Sequence, residues 1–328
     1  MAKNKNLDAA KRARNDEFFT LRGDIEAELS HYKDHFRGKV VYCNCDDPKD
    51  SEFWQFFVRV FADWGLKRLI ATHYDPNEEN FSYKLVIEPD ERGQFSMFNE
   101  PVLTPLPCNG DFRSAACIEL LDEADIVVTN PPFSMFREYI TQLIEHNKKF
   151  LVLGPISGVK YKETFPLIRD GQMWIGYTFP KKFRVPDGTV GDSVFIENGV
   201  TYKKFGNIQW YTNLDIPKRH APLELRGNYY IGNEDQYPSY NNFTGIDVSD
   251  IAIIPCDYYG NMGVPISYVE QHNPDQFDIV GLGEGDLAKE IGITRNHEGR
   301  TKVEYPLPDG SYKRPYARII IRRKEQPI

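Results

Sequence analysis

"DIVVTNPPFSMFREYITQLIEHNKKFLVLG", residues 125–154, decides the fold. "DIVVT" is a short β-branched, apolar run that reads as a buried strand, and "KFLVLG" reads as another. Between them "SMFREYITQLIEHN" carries helical spacing, with Ser134 placed to cap it. Strand, helix, strand in so few residues predicts a parallel crossover unit. The first strand stops on Asn130-Pro131-Pro132-Phe133, an amide, two residues without backbone donors and a ring.

Outward from this core the same alternation recurs. "DEFFTLRGDIEAELSHYKDHF" (16–36) places Leu21, Ile25, Leu29, Tyr32 and Phe36 on one helix face, with Asp16 as its expected N-cap. "KVVYC" (39–43) is a strand, Phe53 to Trp64 a helix ending at Gly65, "KRLIAT" (67–72) a strand and "SAACIELLDEA" (114–124) a helix. Residues 75–109 form a Pro-, Gly- and Glu-dotted excursion containing "YKLVI" and "QFSMF", read as a hairpin. The expected class is α/β, with a doubly wound, mostly parallel, Rossmann-like sheet. Past about Gly188 helical periodicity fades, and fragments such as "SVFIE", "NIQWYT", "DIAIIP" and "PYARIII" alternate with turns. A smaller β-rich C-terminal region is therefore expected. The layout is a basic flexible arm (1–15), a catalytic domain (16–187) and a target-recognition region (188–328).

The 328 residues are ample for a full core, and the net charge of −8 argues against indiscriminate coating of nucleic acid. Five cysteines, without CxxC spacing, read as reduced thiols rather than a zinc site or disulfide frame. With no apolar leader and no run of about 18 apolar residues, a cytoplasmic protein is expected.

Asn130 stands at the carboxyl end of a mid-sheet strand, where open α/β sheets bind ligands. Two oxygens, the Asn130 side-chain oxygen and the Pro131 carbonyl, could hold both hydrogens of an exocyclic amine such as adenine N6. Its lone pair would then point at an electrophile. Pro131 and Pro132 stiffen the loop so that the acceptors are pre-organised, and Phe133 would stack on the base. A base within a duplex must be rotated out to reach such a pocket. The plain structural alternative is a proline-stiffened turn with Phe133 in the core.

The tetrapeptide matches the (D/N/S)PP(Y/F/W) catalytic motif of S-adenosylmethionine-dependent amino methyltransferases. With "DEFFT", "VVYCNCDDP", "GDFRS", "NIQWYTN" and "IPCDYYGNMGVPISY", the chain resembles the EcoRI-type adenine-specific DNA methyltransferases from about Asp16 to Gly283. The resemblance implies that Asn130, Pro131, Pro132 and Phe133 form the target-base pocket. It implies cofactor contacts from Phe18, Phe19 and Thr20, from Asn44, Asp46 and Asp47, and from Asp111 and Phe112. In "THYDP" (72–76), Asp75 ends the second strand, where such folds place an acid on ribose hydroxyls. The usual glycine-rich loop is missing at Asn44–Asp47, which leaves open which aspartate holds the cofactor ammonium and counts against a nicotinamide site. Each motif also has a plain reading: Phe18 and Phe19 as core, Asn44–Asp47 as an Asx-rich turn, Asp75 as an Asp-Pro turn, Asp111 or Ser114 as a helix cap.

From Thr178 to His220 seven lysines and arginines face four acids, a local +3 in a chain of −8. Lys181, Lys182, Arg184, Lys203 and Lys204, interleaved with aromatics, are the expected DNA face, with Trp210 and Tyr211 facing the rotated base opposite Phe133 or lying in strand core. The implied function is site-specific transfer of a methyl group from S-adenosylmethionine to adenine N6 in double-stranded DNA, with no metal. The protein would be the modification arm of a restriction system or a phage or orphan methylase. It would act as a monomer, without a stable complex with any endonuclease. An RNA or protein-amide N-methyltransferase, or a catalytically silent nucleic-acid-binding protein of the same fold, are the alternatives.

Overall fold

The computed structural model describes residues 18–45, 47–75, 82–89, 101–230 and 234–324. They divide into two units, Met1–Thr164 with Ile175–Leu214, and Phe165–Trp174 with Asp215–Ile328. Residues 188–214, read from sequence as the start of the recognition region, group with the first unit.

Among its described residues the first unit holds four α-helices, α1 (Arg22–Leu29), α2 (Glu52–Trp64), α3 (Ala115–Glu123) and α4 (Phe136–Glu145). Its strands run β1 (Phe19–Thr20), β2 (Val40–Cys43), β3 (Arg68–Thr72), β4 (Tyr83–Ile87), β5 (Val102–Pro105), β6 (Ile126–Thr129) and β7 (Lys149–Pro155). They continue with β8 (Trp174–Ile175), β9 (Lys182–Arg184), β10 (Val194–Glu197), β11 (Val200–Lys204) and β12 (Ile208–Thr212). Eight of these form one mixed sheet in the order β5-β4-β3-β2-β6-β7-β12-β8. The four strands β3, β2, β6 and β7 are parallel, while β4, β5 and β12 run antiparallel to their neighbours. Every residue of β2 and β6 is buried, which is why they read as unbroken apolar runs rather than as alternation. Asp125 sets their start: its carboxylate accepts from the Val40 amide at 2.8 Å, and its own amide donates to the Val40 carbonyl at 2.9 Å.

Helix α2 illustrates how local chemistry delimits an element. The Ser51 hydroxyl accepts from the Phe53 and Trp54 amides, and Gly65 ends the helix in the left-handed region at φ 65°. Between these ends Phe53, Trp54, Phe57 and Phe61 are buried. The chain then returns to β3, which pairs with β2 on the side opposite β6. Strand order therefore reverses between β2 and β6, and the loops after Cys43 and Thr129 leave the sheet side by side.

Two expectations about helix starts are corrected. Phe19 and Thr20 belong to strand β1, paired with Arg184 and Phe183 of β9, and α1 starts only at Arg22 with no side-chain cap. A long-range strand partner overrides the local pattern there; Asp16 lies outside the described residues. Ser134 does not cap α4, because Phe133–Met135 forms a 3-10 turn and the helix begins at Phe136. "YKLVI" is β4, antiparallel to both β3 and β5; "QFSMF" lies outside the described residues.

A second sheet of the first unit, β1-β9-β11-β10, is wholly antiparallel. It carries the basic stretch read from sequence.

The second unit is β-rich. Its main sheet orders β13 (Ile246–Asp247), β14 (Met262–Pro265), β18 (Arg318–Arg323) and β15 (Phe277–Leu282), beside a β16 (Tyr305–Pro306) and β17 (Tyr312–Lys313) hairpin. Short helices α5 (Phe165–Arg169) and α6 (Asp286–Glu290) accompany them. Tyr240, Ala288, Ile293, Val303, Tyr305 and Ile320 make one cluster of its core. The buried Asp247 holds Arg318 through two contacts, at 2.8 and 3.3 Å, and accepts from the Tyr240 hydroxyl at 2.7 Å, so neither charge is left unpaired. All five cysteines are free thiols. No helix among the described residues is long and apolar enough to cross a membrane.

Candidate active site

The side-by-side exits of β2 and β6 are braced across the strand-order reversal. The Cys45 amide donates to the Thr129 hydroxyl at 3.2 Å, and the Tyr139 hydroxyl, from α4, donates to Asn44 Oδ1 at 2.6 Å. Tyr139 is fully buried, and burial raises its phenol well above the ordinary range, so it stays a neutral donor. Asn44, 2% exposed, thus spends its side-chain oxygen within the protein. Asp46 lies outside the described residues.

Beyond Thr129 the tetrapeptide presents its groups unequally. Asn130 is 7% exposed; its Nδ2 donates to the Phe18 carbonyl at 2.5 Å, while Oδ1, equally hidden, has no hydrogen-bond partner. Because a carbonyl can only accept, that bond fixes which end of the amide is which. The Pro132 carbonyl closes the 3-10 turn by accepting from the Met135 amide at 2.9 Å, whereas nothing among the described residues donates to the Pro131 carbonyl. Two oxygens, Asn130 Oδ1 and Pro131 O, are left as unused acceptors.

An aromatic cluster borders them. The Phe133 ring lies 6.1 Å from that of Phe18, which meets Phe205 edge-on at 4.4 Å, and Phe205 in turn meets Phe183 at 5.4 Å. The Lys203 ammonium sits over both Phe205, at 4.9 Å, and Phe18, at 5.5 Å. Thr20, two residues beyond Phe18, has a buried hydroxyl without a partner.

The remaining acids stand on neighbouring loops. Asp47 accepts from the Tyr83 hydroxyl at 3.2 Å and faces His73 Nδ1 at 3.1 Å, and burial, together with the Asp47 charge, raises the Tyr83 phenol. Asp75, 4% exposed, donates its amide to the Asn109 carbonyl at 2.9 Å, which joins the end of β3 to the "NGDFRS" loop. Gly110 makes that approach possible: at φ +81°, a Cβ there would lie 2.0 Å from the His73 carbonyl oxygen. Asp111 is gripped by Arg113 through Nε at 2.9 Å and Nη2 at 2.7 Å, and these bonds hold its carboxyl below the usual range. Ser114, not Asp111, caps α3, accepting from the Cys117 amide at 3.4 Å. Phe112 is buried edge-on against Tyr139 at 5.1 Å.

Trp210 and Tyr211 are corrected from the expected DNA face to the core. Both are fully buried in β12, Tyr211 donating to the Pro155 carbonyl at 2.7 Å and Trp210 meeting Phe53 edge-on. The ring that stands in the Phe133 cluster is Phe205. Its signal in the sequence was its place directly after the Lys203-Lys204 pair and before Gly206, at a strand end rather than inside a strand. Lys181 is exposed, Lys182 lies 4.0 Å over Tyr202 and pairs with Glu197, Arg184 lies 4.3 Å over Phe19, and Lys204 lies 5.4 Å over Phe195. Lys182, Arg184, Lys203 and Lys204 therefore share one small sheet with Phe19 and Thr20, Lys181 directly precedes its strand β9, and Lys203 alone among the five reaches the Phe18–Phe205 pair.

Comparison with known proteins gives the family. The family described as adenine-specific methyltransferase EcoRI matches residues 6–324. The chain is similar to the type II methyltransferase M.EcoRI of Escherichia coli, 40% identical over 98% of each chain. It is also 36% identical to M.MpnI of Mycoplasma pneumoniae, across 97% of this chain and 98% of that one. M.MgeORF184P of Mycoplasma genitalium is likewise 36% identical, across 96% of this chain and 98% of that one. No solved structure matches. An α/β sheet that brings an Asn-Pro-Pro-Phe strand end beside unused oxygen acceptors, in a chain matched almost end to end, belongs to the adenine-specific methyltransferase EcoRI family.

Proposed function

We propose that this adenine-specific DNA methyltransferase transfers the methyl group of S-adenosylmethionine to N6 of one adenine, rotated out of duplex DNA, within a specific sequence. The observation that carries the reading is the buried, unpartnered Asn130 Oδ1, aligned by the bond from its own Nδ2 to Phe18. A hidden acceptor without a donor costs about 1–3 kcal/mol, so its retention asks for a ligand that fills it. An exocyclic amine supplies one hydrogen to Asn130 Oδ1 and the other to the Pro131 carbonyl. The nitrogen lone pair, withdrawn from conjugation, is then free to attack.

S-adenosylmethionine, when bound, supplies an electrophilic methyl on a sulfonium. On this reading the sheet is a Rossmann-like, doubly wound one, with the cofactor at the strand-order reversal between β2 and β6. The unpartnered Thr20 hydroxyl and the buried Asp75 fit that group's polar ends, and Asp111 with Phe112 its adenine. Phe19 lines the same region; Asp47 and Asp46 remain the choices for the ammonium, and Asn44 braces the loop. Transfer of that methyl would move the sulfonium's positive charge to N6 and leave a neutral thioether. The methylated nitrogen is acidic enough to lose its proton without a strong base. Catalysis then rests on orientation by Asn130, Pro131 and Pro132 and on stacking against Phe133. Phe205 takes the second stacking position. Lys181, Lys182, Arg184, Lys203 and Lys204 meet phosphates.

In this reading residues 215–328 supply most of the target recognition. The enzyme works as a cytoplasmic monomer and protects the sites of an endonuclease that it does not bind stably.

The test is expression in a methylation-free host followed by mapping of N6-methyladenine, with Asn130→Ala alongside. Wild type should mark one sequence, and the variant should lose at least about a hundredfold in turnover with cofactor affinity kept. Ordinary turnover by Asn130→Ala would refute the assignment.

A further inference from the structure

The second unit contains an open cleft of about 750 Å³ between residues 239–246, Tyr229 with Tyr258, and residues 291–294. Its lining is aromatic, amide, hydroxyl and aliphatic, with no ionised side chain. A phosphate, carboxylate or ammonium would have no counter-charge inside it. A planar, neutral group with donors and acceptors on its edge would find both ring faces and polar partners there.

The aromatic side of the cleft is rigid. Tyr229 packs edge-on against Tyr230 at 4.7 Å and lies tilted by 58° against Tyr258 at 4.7 Å. Asp257 accepts from the Tyr229 amide at 2.7 Å and the Tyr230 amide at 3.1 Å, which pins the backbone carrying both rings. Tyr230 is nevertheless 61% exposed and Tyr259 46% exposed, large rings left in water beside the cleft. A fixed, exposed ring pays little ordering entropy on binding.

Cations stand at its margins. Arg322 donates to Asn261 Oδ1 at 2.8 Å, and Asn261 Nδ2 donates to the Thr244 carbonyl at 2.9 Å, so the arginine steadies one wall. Arg323 lies 5.0 Å over the Tyr259 ring. Arg295, next to the lining residue Thr294, is exposed, and no ion pair to it occurs among the described residues. A neutral, ring-walled floor between arginines is complementary to bases flanked by phosphates.

We propose that this cleft is a nucleobase-reading site, distinct from the pocket at Asn130, which engages bases of the duplex other than the methylated adenine. Tyr229 and Tyr258 contact base rings or the thymine methyl, Ser239, Asn241 and Thr244 meet base edges, and Arg295, Arg322 and Arg323 meet the backbone. The proposal rests on duplex DNA being the substrate.

The experiment places 5-iododeoxyuridine at successive positions of a duplex bearing the mapped sequence, irradiates the complex with the full-length protein, and identifies cross-linked peptides. Cross-links to peptides containing Tyr229–Tyr230 or Tyr258–Tyr259 are expected. Cross-links confined to residues 18–214 overturn the proposal. In parallel, Tyr258→Leu should lower the kcat/KM ratio of the mapped duplex over one-base-changed duplexes by about tenfold, with S-adenosylmethionine affinity unchanged. Arg295→Ser should weaken both duplexes alike and reduce the salt slope by about one. An unchanged ratio in folded Tyr258→Leu also overturns it, as does protection of the cleft by a non-nucleic-acid ligand only. Failure of wild type to methylate any duplex would instead remove the DNA reading beneath it.

Discussion

Asn130 Nδ2 donates to the Phe18 carbonyl at 2.5 Å, joining residues 112 positions apart in sequence. That bond orients the amide so that Oδ1 is the free end. Asn130→Asp keeps an oxygen at that end but places a second oxygen against the Phe18 carbonyl. It should lose about a hundredfold in kcat while the affinity for duplex DNA changes little, as read by single-turnover kinetics and fluorescence anisotropy.

Phe205 and Trp210, five residues apart, should respond in opposite ways. Trp210→Ala empties a fully buried site and should cost about 3–5 kcal/mol of stability in urea unfolding, without altering the DNA affinity of the folded protein. Phe205→Ala should raise KM for duplex DNA about tenfold, a loss of one stacking contact, with a near-normal unfolding midpoint.

Gly110→Ala is expected to damage the cofactor side. Its Cβ would collide with the His73 carbonyl, and its φ of +81° is unfavourable for any other residue. Because Asp75 and Asp111 flank that contact, S-adenosylmethionine affinity measured by calorimetry should fall at least about tenfold.

Tyr139→Phe removes the hydroxyl that satisfies Asn44 Oδ1. An unmet buried acceptor should lower stability by about 1–3 kcal/mol. A stability equal to wild type would mean that Asn44 finds another donor.

Two histidines of the second unit give opposite pH dependences. His272 is pushed down to about 4 by burial and by the charges of Arg219 and Lys324. The unfolded chain protonates first as pH falls from 6.5, so stability is full above 6.5 and declines by up to about 3 kcal/mol towards pH 4. His220, half-exposed between Asp275 at 2.8 Å and Asp215 at 3.1 Å, is raised by both bonds. Its stabilisation is present below 6.5 and is lost as pH rises through the higher folded value. The difference in unfolding free energy between wild type and His272→Gln should therefore shrink or reverse from pH 7 to pH 4, and that with His220→Gln should grow.

Much of the first unit could be read locally. β2, β6 and β7 announce themselves as short buried apolar runs, α2 by Ser51, its aromatic face and Gly65, and the tetrapeptide by its prolines. β1 could not be read so: two residues are a strand only because Arg184 and Phe183 lie beside them. Asp47 and Asp111 were legible as acids on the right loops, yet their partners, His73 with Tyr83 and Arg113, were not. In the second unit, the ring-walled cleft draws on four separate segments, around residues 229, 239–246, 258–261 and 291–294, which only folding brings together.

The amino-acid sequence by itself determined the order of elements, the strand end at which Asn130 stands and the kind of chemistry its oxygens suit, because periodicity, proline geometry and donor inventory are properties of adjacent residues. Only the tertiary structure decided which aromatic ring joins Phe133 and which oxygen of the tetrapeptide remains free. Trp210 and Phe205 differ in burial, and the Asn130 and Pro132 oxygens in partnership, through neighbours that the chain brings together by folding.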